Sequence, residues 1–363
     1  MRLQLNGHKL NHHLEELMRW NSAVDAEGQV VDHANMPTPL HFDFGPTAAC
    51  NYNYVHCYVK ELPEQASYLR RDIYEQLMID MPQAGVKSIF LAGRGEPLMH
   101  KDTPDMIPIG TRAGLDIGLL TNGVLFTPET GEQLMEHLVF TRFNILGDTP
   151  GVYSHLMGTN KEMFHRSRKN LEHASNYRQK NGLKTAIGLY IFVFPENVLE
   201  LHSLCKWGKE AGADYAIIKP AGQFIDASFK FERNMHEKYR AEIEKTQTLS
   251  DENFNCIVRM DSFDVENTTK RKYDKCLGID FLGIIDADGN IGTCNGFWKV
   301  PEAQYGNLYE KSFAEIFRSQ NRYKARDYIN DEVDCHKCDL CRQHQSNSFL
   351  WDMKHPPDHI NFI

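Results

Sequence analysis

The chain has 363 residues, of which 41% are hydrophobic and 25% charged, and its formal net charge is −9. This length suits one large domain followed by a small one, and an acidic chain without a basic stripe argues against binding to nucleic acid or a membrane surface. No segment resembles a secretion signal or approaches the roughly 20 apolar residues of a membrane span. We therefore expect a cytoplasmic protein whose partners include neither nucleic acid nor a membrane.

Apolar periodicity predicts one N-terminal helix and then six strands that alternate with helices. Residues 1–38 are interpreted as a leader with one helix, because leucines recur there at helical spacing. From residue 39, strand-like and helix-like segments follow each other in turn, which indicates a parallel sheet covered by helices. Six units are too few for a complete eight-stranded barrel, so the predicted fold class is α/β, a partial (β/α)6 TIM-type barrel over residues 39–225. The predicted strands are 40–44, 86–91, 116–120, 141–146, 185–194 and 215–218, and the predicted helices are 71–84, 105–113, 129–138, 164–181 and 198–211.

The pattern changes after this region. Residues 226–275 are predicted to be a connecting helical segment, with a helix near 234–249. Residues 276–363 are predicted to be a small cysteine-rich α+β domain. It should contain a hairpin of strands 281–286 and 290–294 around an Asp-Gly turn, a helix at 312–319 and an irregular tail.

Nine cysteines occur, and five of them lie after residue 275. In a reducing cytosol, clustered cysteines favour metal ligation over disulfides. Cys205 and Cys256 stand beside apolar residues and are predicted to be core residues rather than ligands.

A cysteine motif directly follows the first predicted strand, with the sequence Cys50-Asn-Tyr-Asn-Tyr54-Val-His56-Cys57-Tyr58. It resembles the Cys-x3-Cys-x2-Cys loop of the radical S-adenosylmethionine (radical SAM) family. The resemblance implies that three thiolates hold a 4Fe–4S cluster, and that S-adenosylmethionine binds its open iron and is cleaved to a 5′-deoxyadenosyl radical. It also implies that His56 and Tyr58 lie against this cofactor.

The middle position of the motif departs from the family, because it is Tyr54 rather than cysteine. A phenol has an ordinary pKa near 10 and is harder to ionise than a thiol, and phenolate is a harder donor than thiolate. Three interpretations stay open. Tyr54 is a substitution in an otherwise normal enzyme, or Tyr54 or His56 is an unusual third ligand, or the protein is a catalytically dead variant that still binds its cofactor.

Further motifs stand at the ends of the next strands. Gly93-Arg-Gly95-Glu96-Pro resembles the family's Gly-Gly-Glu-Pro motif, which implies that the glycines admit the methionine moiety closely and that Glu96 binds its amino group. Thr121, Asn122 and Asp148 match cofactor-binding positions in the same way. Lys219 ends the sixth predicted strand, at the face where barrel active sites lie, and is predicted to be a catalytic residue that contacts substrate.

The C-terminal cysteines form a second candidate metal site, composed of Cys276, Cys294, Cys335, Cys338 and Cys341. Their spacing resembles the SPASM and twitch auxiliary-cluster domains of radical SAM proteins. Five cysteines suit one auxiliary 4Fe–4S cluster, with Cys338 or Cys341 spare, and a zinc site is the alternative.

The resemblance implies a radical SAM oxidoreductase that takes hydrogen from a small-molecule substrate, a sugar, cyclitol or nucleotide-like compound, with flavodoxin or ferredoxin as electron donor. Its nearest functional counterpart is the twitch-bearing dehydrogenase of aminocyclitol biosynthesis. A peptide-modifying maturase is the first alternative, ranked second because only 38 residues precede the first predicted strand. The second alternative is the cofactor-binding variant without catalysis.

Overall fold

A computed structural model describes residues 7–55, 57, 66–220, 235–260, 271–298, 300–338, 341, 343–356 and 358. Its centre is a ten-stranded sheet in the order β10-β9-β8-β1-β2-β3-β4-β5-β6-β7. Strands β1 to β7 pair in parallel in chain order. The strands are β1 His41–Phe44, β2 Ser88–Leu91, β3 Asp116–Thr121, β4 Phe140–Asn144, β5 Ala186–Val193, β6 Tyr215–Pro220, β7 Asn255–Val258, β8 Leu282–Ile285, β9 Asn290–Gly292 and β10 Gln304–Asn307.

Helices join the parallel strands and cover one face of the sheet. The face under the helices forms the main core, with Phe143, Leu189 and Ile218 fully buried. Alternate residues on the same strands face the other way and form a separate cluster around Tyr215 and Ile217. The helices are α1 Leu14–Ala23, α2 Arg71–Gln83, α3 Thr103–Ala113, α4 Pro128–Leu134, α5 Pro150–Met157, α6 Lys161–Asn181, α7 Leu201–Glu210, α8 Met235–Lys238, α9 Arg240–Lys245, α10 Phe313–Arg318, α11 Gln320–Asp331 and α12 His344–Lys354.

The predicted α/β fold with a parallel sheet is confirmed, and all six predicted strands are present. The strand count was too low, because β7 adds a seventh parallel strand beside β6 within the segment predicted to be helical. Cys256 on β7 is buried, as predicted for a core residue. The helix predicted near 234–249 is divided into α8, α9 and a 3-10 turn, Thr246–Leu249.

The C-terminal hairpin is also present and extends the barrel sheet, since β8 pairs in parallel with β1 and in antiparallel fashion with β9. Three helices were not predicted. They are α5, α11 and α12, the last of which lies in the tail expected to be irregular. No helix in the described part of the chain is both long and apolar enough to cross a membrane.

The N-terminal helix α1 packs on this C-terminal region through a buried polar contact. Trp20 on α1 donates its indole N–H to Asp280 at 2.8 Å. Asp280 also forms a bidentate pair with Arg326 on α11, at 2.8 and 3.0 Å, and both side chains are only 3% exposed. Because the buried Asp280 and Arg326 charges are paired with each other, and Asp280 also bonds Trp20, the contact fixes the position of α1 against α11.

Candidate cofactor site

Two loops at the carboxyl ends of β1 and β2 are locked against each other. Glu96 N–H donates to the carbonyl of Ala49 at 2.9 Å. A Cβ at Gly95 would lie only 2.4 Å from the carbonyl oxygens of Thr47 and Ala49, so a larger residue would separate the loops. The cysteine motif and the glycine motif therefore form one site at the face where barrel active sites occur.

Glu96 is the buried acid of this site, with only 3% of its surface exposed. Its carboxylate accepts backbone N–H bonds from Asn122 at 2.8 Å and Leu98 at 3.3 Å. No Lys, Arg or His in the described residues forms an ion pair with it. Burial raises the pKa of Glu96 to about 7, and the hydrogen bonds from Asn122, Thr121 and Leu98 only partly oppose this. A buried carboxylate without a cation fits the ammonium group of S-adenosylmethionine, which would supply the missing charge.

Residues at the end of β3 hold Glu96 and the cysteine loop in place. The Asn122 amide donates to Asn51 Oδ1 at 2.7 Å, and Thr121 Oγ1 accepts from Gly123 N–H at 3.0 Å. Both side chains are buried. Thr121 and Asn122 thus position the acid and the loop, while Gly93, with φ of 120°, keeps the backbone open beside them.

Replacing Glu96 with glutamine should weaken S-adenosylmethionine binding by about 1.5–3 kcal/mol, because a charge-assisted hydrogen bond to the ammonium is lost. In the unsubstituted protein, protonation of the carboxyl below about pH 7 should lower the affinity. Glu96→Gln should lack this pH dependence. The measurement is anaerobic calorimetry across this pH range, with exposed Glu162→Gln as the matched control. Unchanged affinity in Glu96→Gln would remove Glu96 from the site.

Tyr54, in the middle of the cysteine motif, is packed against the main core. Its hydroxyl lies 3.4 Å from the Asn144 amide nitrogen, which donates to it. Burial raises the pKa of Tyr54 well above its ordinary value, and the negative charges of Cys50 and Glu96 add to the effect. The phenol is therefore neutral, so this position does not fit the third thiolate of a cluster. Asn144 Oδ1 is buried and has no hydrogen-bond partner among the residues that the structure describes, which leaves an acceptor for a ligand.

The two remaining motif cysteines lie near each other, and Cys50 also lies near Glu96. Cys50 keeps surface open to solvent, but the protein around its thiol raises the pKa to about 12, with smaller effects from Glu96 and Cys57. Cys57 is half-buried, and its N–H donates to the carbonyl of Tyr54 at 3.3 Å. His56 and Tyr58 lie outside the described residues, so their predicted contact with the cofactor stays a prediction.

The two other predicted site residues, Asp148 and Lys219, have surroundings that differ from those of Glu96. The Asp148 carboxylate pairs with Arg168 at 3.2 Å, and the Arg168 guanidinium lies 3.8 Å from the ring centre of Trp207. At the end of β4 it is Asn144, not Asp148, that contacts the cysteine motif. Lys219, near the end of β6, lies over the rings of Tyr190 and Phe192, at 5.6 and 5.3 Å from their centres.

The five C-terminal cysteines come together, as their mutual influence on ionisation shows. Burial raises the pKa of Cys294 to about 12 and those of Cys335 and Cys338 to about 11, and the charge of Cys341 raises all three further. Burial followed by Cys341, Cys294 and Cys338 likewise raises the pKa of Cys276. A cluster of thiols that resists ionisation without a cation fits iron, which stabilises thiolates.

Arg271 is the basic residue of this second site, and its sequence position did not indicate a role. It is 7% exposed and donates from Nη2 to the carbonyl of Cys338. Its charge lowers the pKa of Cys341, against the larger opposite effect of burial. A side-chain hydrogen bond from Arg271 to the Cys341 thiol lowers that pKa as well. Arg271 therefore holds the Cys338–Cys341 segment and places a positive charge beside thiolates.

Comparison with known proteins agrees with this arrangement. Residues 276–342 match the SPASM family, described as an iron–sulfur cluster-binding domain. This match favours iron–sulfur over the zinc alternative. Within the described residues, no three His, Cys, Asp or Glu side chains form a group that could hold a single metal ion.

Similar full-length proteins extend the comparison. The tungsten-containing aldehyde ferredoxin oxidoreductase cofactor-modifying protein of Pyrococcus furiosus is 22% identical over 81% of this chain and 86% of its own length. The subtilosin biosynthesis protein AlbA of Bacillus subtilis is 23% identical over 78% of this chain and 60% of its own length. The crystal structure of Streptococcus suis SuiB bound to precursor peptide SuiA superposes with a TM-score of 0.65 and 16% identity, over 92% of this chain and 74% of that one.

The fold, the motif at the ends of its strands and the C-terminal match together support the assignment of the chain to the radical SAM enzymes with a SPASM-type C-terminal domain. Iron–sulfur clusters and S-adenosylmethionine are the cofactors of this class. Two of these relatives have peptide-related descriptions, the subtilosin biosynthesis protein AlbA and the SuiB structure with its bound precursor peptide.

Proposed function

We propose that this protein is a radical SAM enzyme whose substrate is a peptide. The observation that carries the proposal is its superposition, over 92% of the chain, on a radical SAM structure with a bound precursor peptide. The similarity to AlbA, named for biosynthesis of the bacteriocin subtilosin, supports the same substrate class.

The sheet face opposite the helices offers room for such a substrate. On β4, the residues that face away from the helices are Phe140, Arg142 and Asn144, and all three are half-buried while Thr141 and Phe143 are buried. On β5, Tyr190 and Phe192 follow the same alternation. Side chains that keep surface exposed in the middle of a sheet line an open space, here called the barrel lumen.

Within this proposal, each part of the chain has a distinct task. Residues 39–225 hold the cofactor through Glu96 and the glycines beside it, and Asn144 and Lys219 face the substrate. Residues 276–363 hold an auxiliary cluster through Cys276, Cys294 and further C-terminal cysteines. A cluster held at the barrel motif would supply the single electron that cleaves S-adenosylmethionine, and a ferredoxin or flavodoxin would supply that electron to the protein.

The test uses 5′-deoxyadenosine formation with reductant present. A synthetic random dodecapeptide library is compared with a panel of sugars, cyclitols and nucleosides, using the Tyr54→Cys variant so that the motif is complete. We expect the peptide library to raise 5′-deoxyadenosine above the substrate-free level and to yield peptides of changed mass. Stimulation by the small-molecule panel alone would contradict the proposal.

A second candidate function is cofactor binding without turnover, and the neutral, buried phenol of Tyr54 favours it. One experimental result distinguishes this candidate from the peptide-modifying enzyme. If Tyr54→Cys assembles a complete barrel cluster but still produces no 5′-deoxyadenosine, the pocket has lost its catalytic competence and the second candidate stands.

A further inference from the structure

The barrel lumen contains two basic side chains that no acidic residue neutralises. Arg142 on β4 and Lys219 on β6 form no ion pair with an Asp or Glu in the described part of the chain. Both are half-buried. In a chain with a net charge of −9, a pair of unneutralised cations inside a barrel attracts anions to that one place.

Aromatic rings pack against both cations, and each cation also bonds a tyrosine hydroxyl: Arg142 that of Tyr215 and Lys219 that of Tyr190. The Arg142 guanidinium lies 4.3 Å from the ring centre of Phe140 and 5.7 Å from that of Tyr215, and its Nε donates to the Tyr215 hydroxyl at 3.1 Å. The Lys219 ammonium lies over Tyr190 and Phe192 at 5.6 and 5.3 Å. The ring faces attract each cation electrostatically, but they carry no full negative charge.

The pKa of Tyr190 reflects the positive charge around it. Burial would raise its pKa, yet the charges of Lys219, Arg142 and Arg259 outweigh burial and lower it. Tyr190 is paired in register with Asn144 on β4, and Phe192 with Lys219 on β6. The cations therefore lie next to Asn144, whose unpartnered Oδ1 and contact with Tyr54 connect them to the cofactor site.

We propose that Lys219, supported by Arg142, forms a subsite for a carboxylate of the peptide substrate, an Asp or Glu side chain. This inference rests on the proposed peptide substrate. A carboxylate fits better than a phosphate, because the Arg142 guanidinium packs against rings and gives its Nε to the Tyr215 hydroxyl, so that Lys219 offers the more available donors. Its ammonium balances the single charge of a carboxylate, whereas a phosphate carries about two.

The carboxylate of S-adenosylmethionine is the other source of the same chemistry, and the topology argues against it. Its amino and carboxylate groups share one carbon atom, so both must stay near Glu96, which follows β2. Lys219 is on β6, four strand intervals away in the sheet order, or about 19 Å along the sheet. Lys219 is thus placed to hold the substrate across the lumen from the cofactor.

The test compares acetyl-Ala-Glu-Ala-amide with acetyl-Ala-Gln-Ala-amide, which differ only in charge, and adds glutarate as a carboxylate without a peptide. Binding to the full chain is measured by ligand-observed NMR titration. We expect the Glu peptide to bind about tenfold more tightly than the Gln peptide, as is typical of a charge-assisted hydrogen bond. Lys219→Met should abolish this preference. Lys219→Arg and the surface control Lys206→Met should retain it.

The outcomes separate the subsite from the proposed function. Equal binding of the two peptides, or no binding of either at about ten millimolar, would overturn the carboxylate subsite. If glutarate binds as tightly as the Glu peptide and with the same dependence on Lys219, the subsite stands and the peptide substrate falls. Loss of S-adenosylmethionine affinity in Lys219→Met would assign Lys219 to the cofactor and overturn the inference.

Discussion

Replacing Tyr54 with cysteine should convert a poor S-adenosylmethionine cleavage site into a competent one. The site as written offers the thiols of Cys50 and Cys57 and a neutral phenol bonded to Asn144. Changes in groups outside the ligand shell already cost about 10–100-fold in metal affinity or activity, so restoring a missing ligand should raise 5′-deoxyadenosine formation by about 100-fold or more. The measurement is 5′-deoxyadenosine released per chain under dithionite after anaerobic reconstitution.

Two control variants sharpen this result. Val55→Cys places a thiol at a neighbouring exposed position but at the wrong spacing, and it should leave the rate low. Tyr54→Phe removes only the hydroxyl, and it should also leave the rate low. If the chain as written already matches Tyr54→Cys, and Tyr54→Phe then loses that activity, the phenol is a competent ligand and our interpretation is wrong.

Replacing Cys276 and Cys294 with alanine should remove about four irons per chain, the content of one 4Fe–4S cluster. The reason is that these two half-buried thiols, whose pKa values are raised in part by Cys338 and Cys341, belong to one ligand set. The barrel motif lies on other strands, so Tyr54→Cys combined with these changes should retain its own iron. Iron and sulfide are measured chemically on anaerobic protein.

The matched control for this prediction is Cys256→Ala, which removes a buried cysteine on β7 that lies in the main core. It should keep the full iron content even if it lowers the melting temperature. Stoichiometric zinc in the unsubstituted protein, lost with Cys276 and Cys294, would replace the auxiliary cluster with a zinc site.

Most of the fold could be predicted from local sequence patterns. The six predicted strands consist of apolar runs long enough to be recognised, and each is followed by a helix with its own periodicity. Strand β7 was missed because Asn255–Val258 is only four residues long and sits within a polar region. It forms a strand because it pairs in parallel with the edge of β6. This long-range pairing is not visible in any local sequence pattern.

The tail helix α12 was missed for a similar reason. Its sequence is polar at many positions, and what holds it is contact with other segments: Asn347 accepts from Gly278 N–H at 2.6 Å, and Leu350 is fully buried. Helices stabilised by packing rather than by propensity are poorly visible in a single sequence.

The candidate site was predictable where a residue belongs to a compact motif, as with Glu96 and Gly95. It was not predictable where function depends on contacts between distant segments. At the end of β4 the sequence indicated Asp148, and only the fold shows that Asn144 contacts Tyr54 and that Asp148 pairs with Arg168. Arg271 lies 67 residues from the carbonyl that it binds, and no spacing rule connects the two.

Anaerobic iron and sulfide analysis, combined with EPR spectra with and without S-adenosylmethionine, tests the central claim most directly. That claim is a complete auxiliary cluster beside a barrel site that Tyr54 leaves incomplete. It predicts about four irons per chain and an EPR signal of the reduced cluster that S-adenosylmethionine does not change. About eight irons per chain, with a signal that shifts when S-adenosylmethionine is added, would show that the barrel site holds a cluster despite Tyr54 and would contradict it.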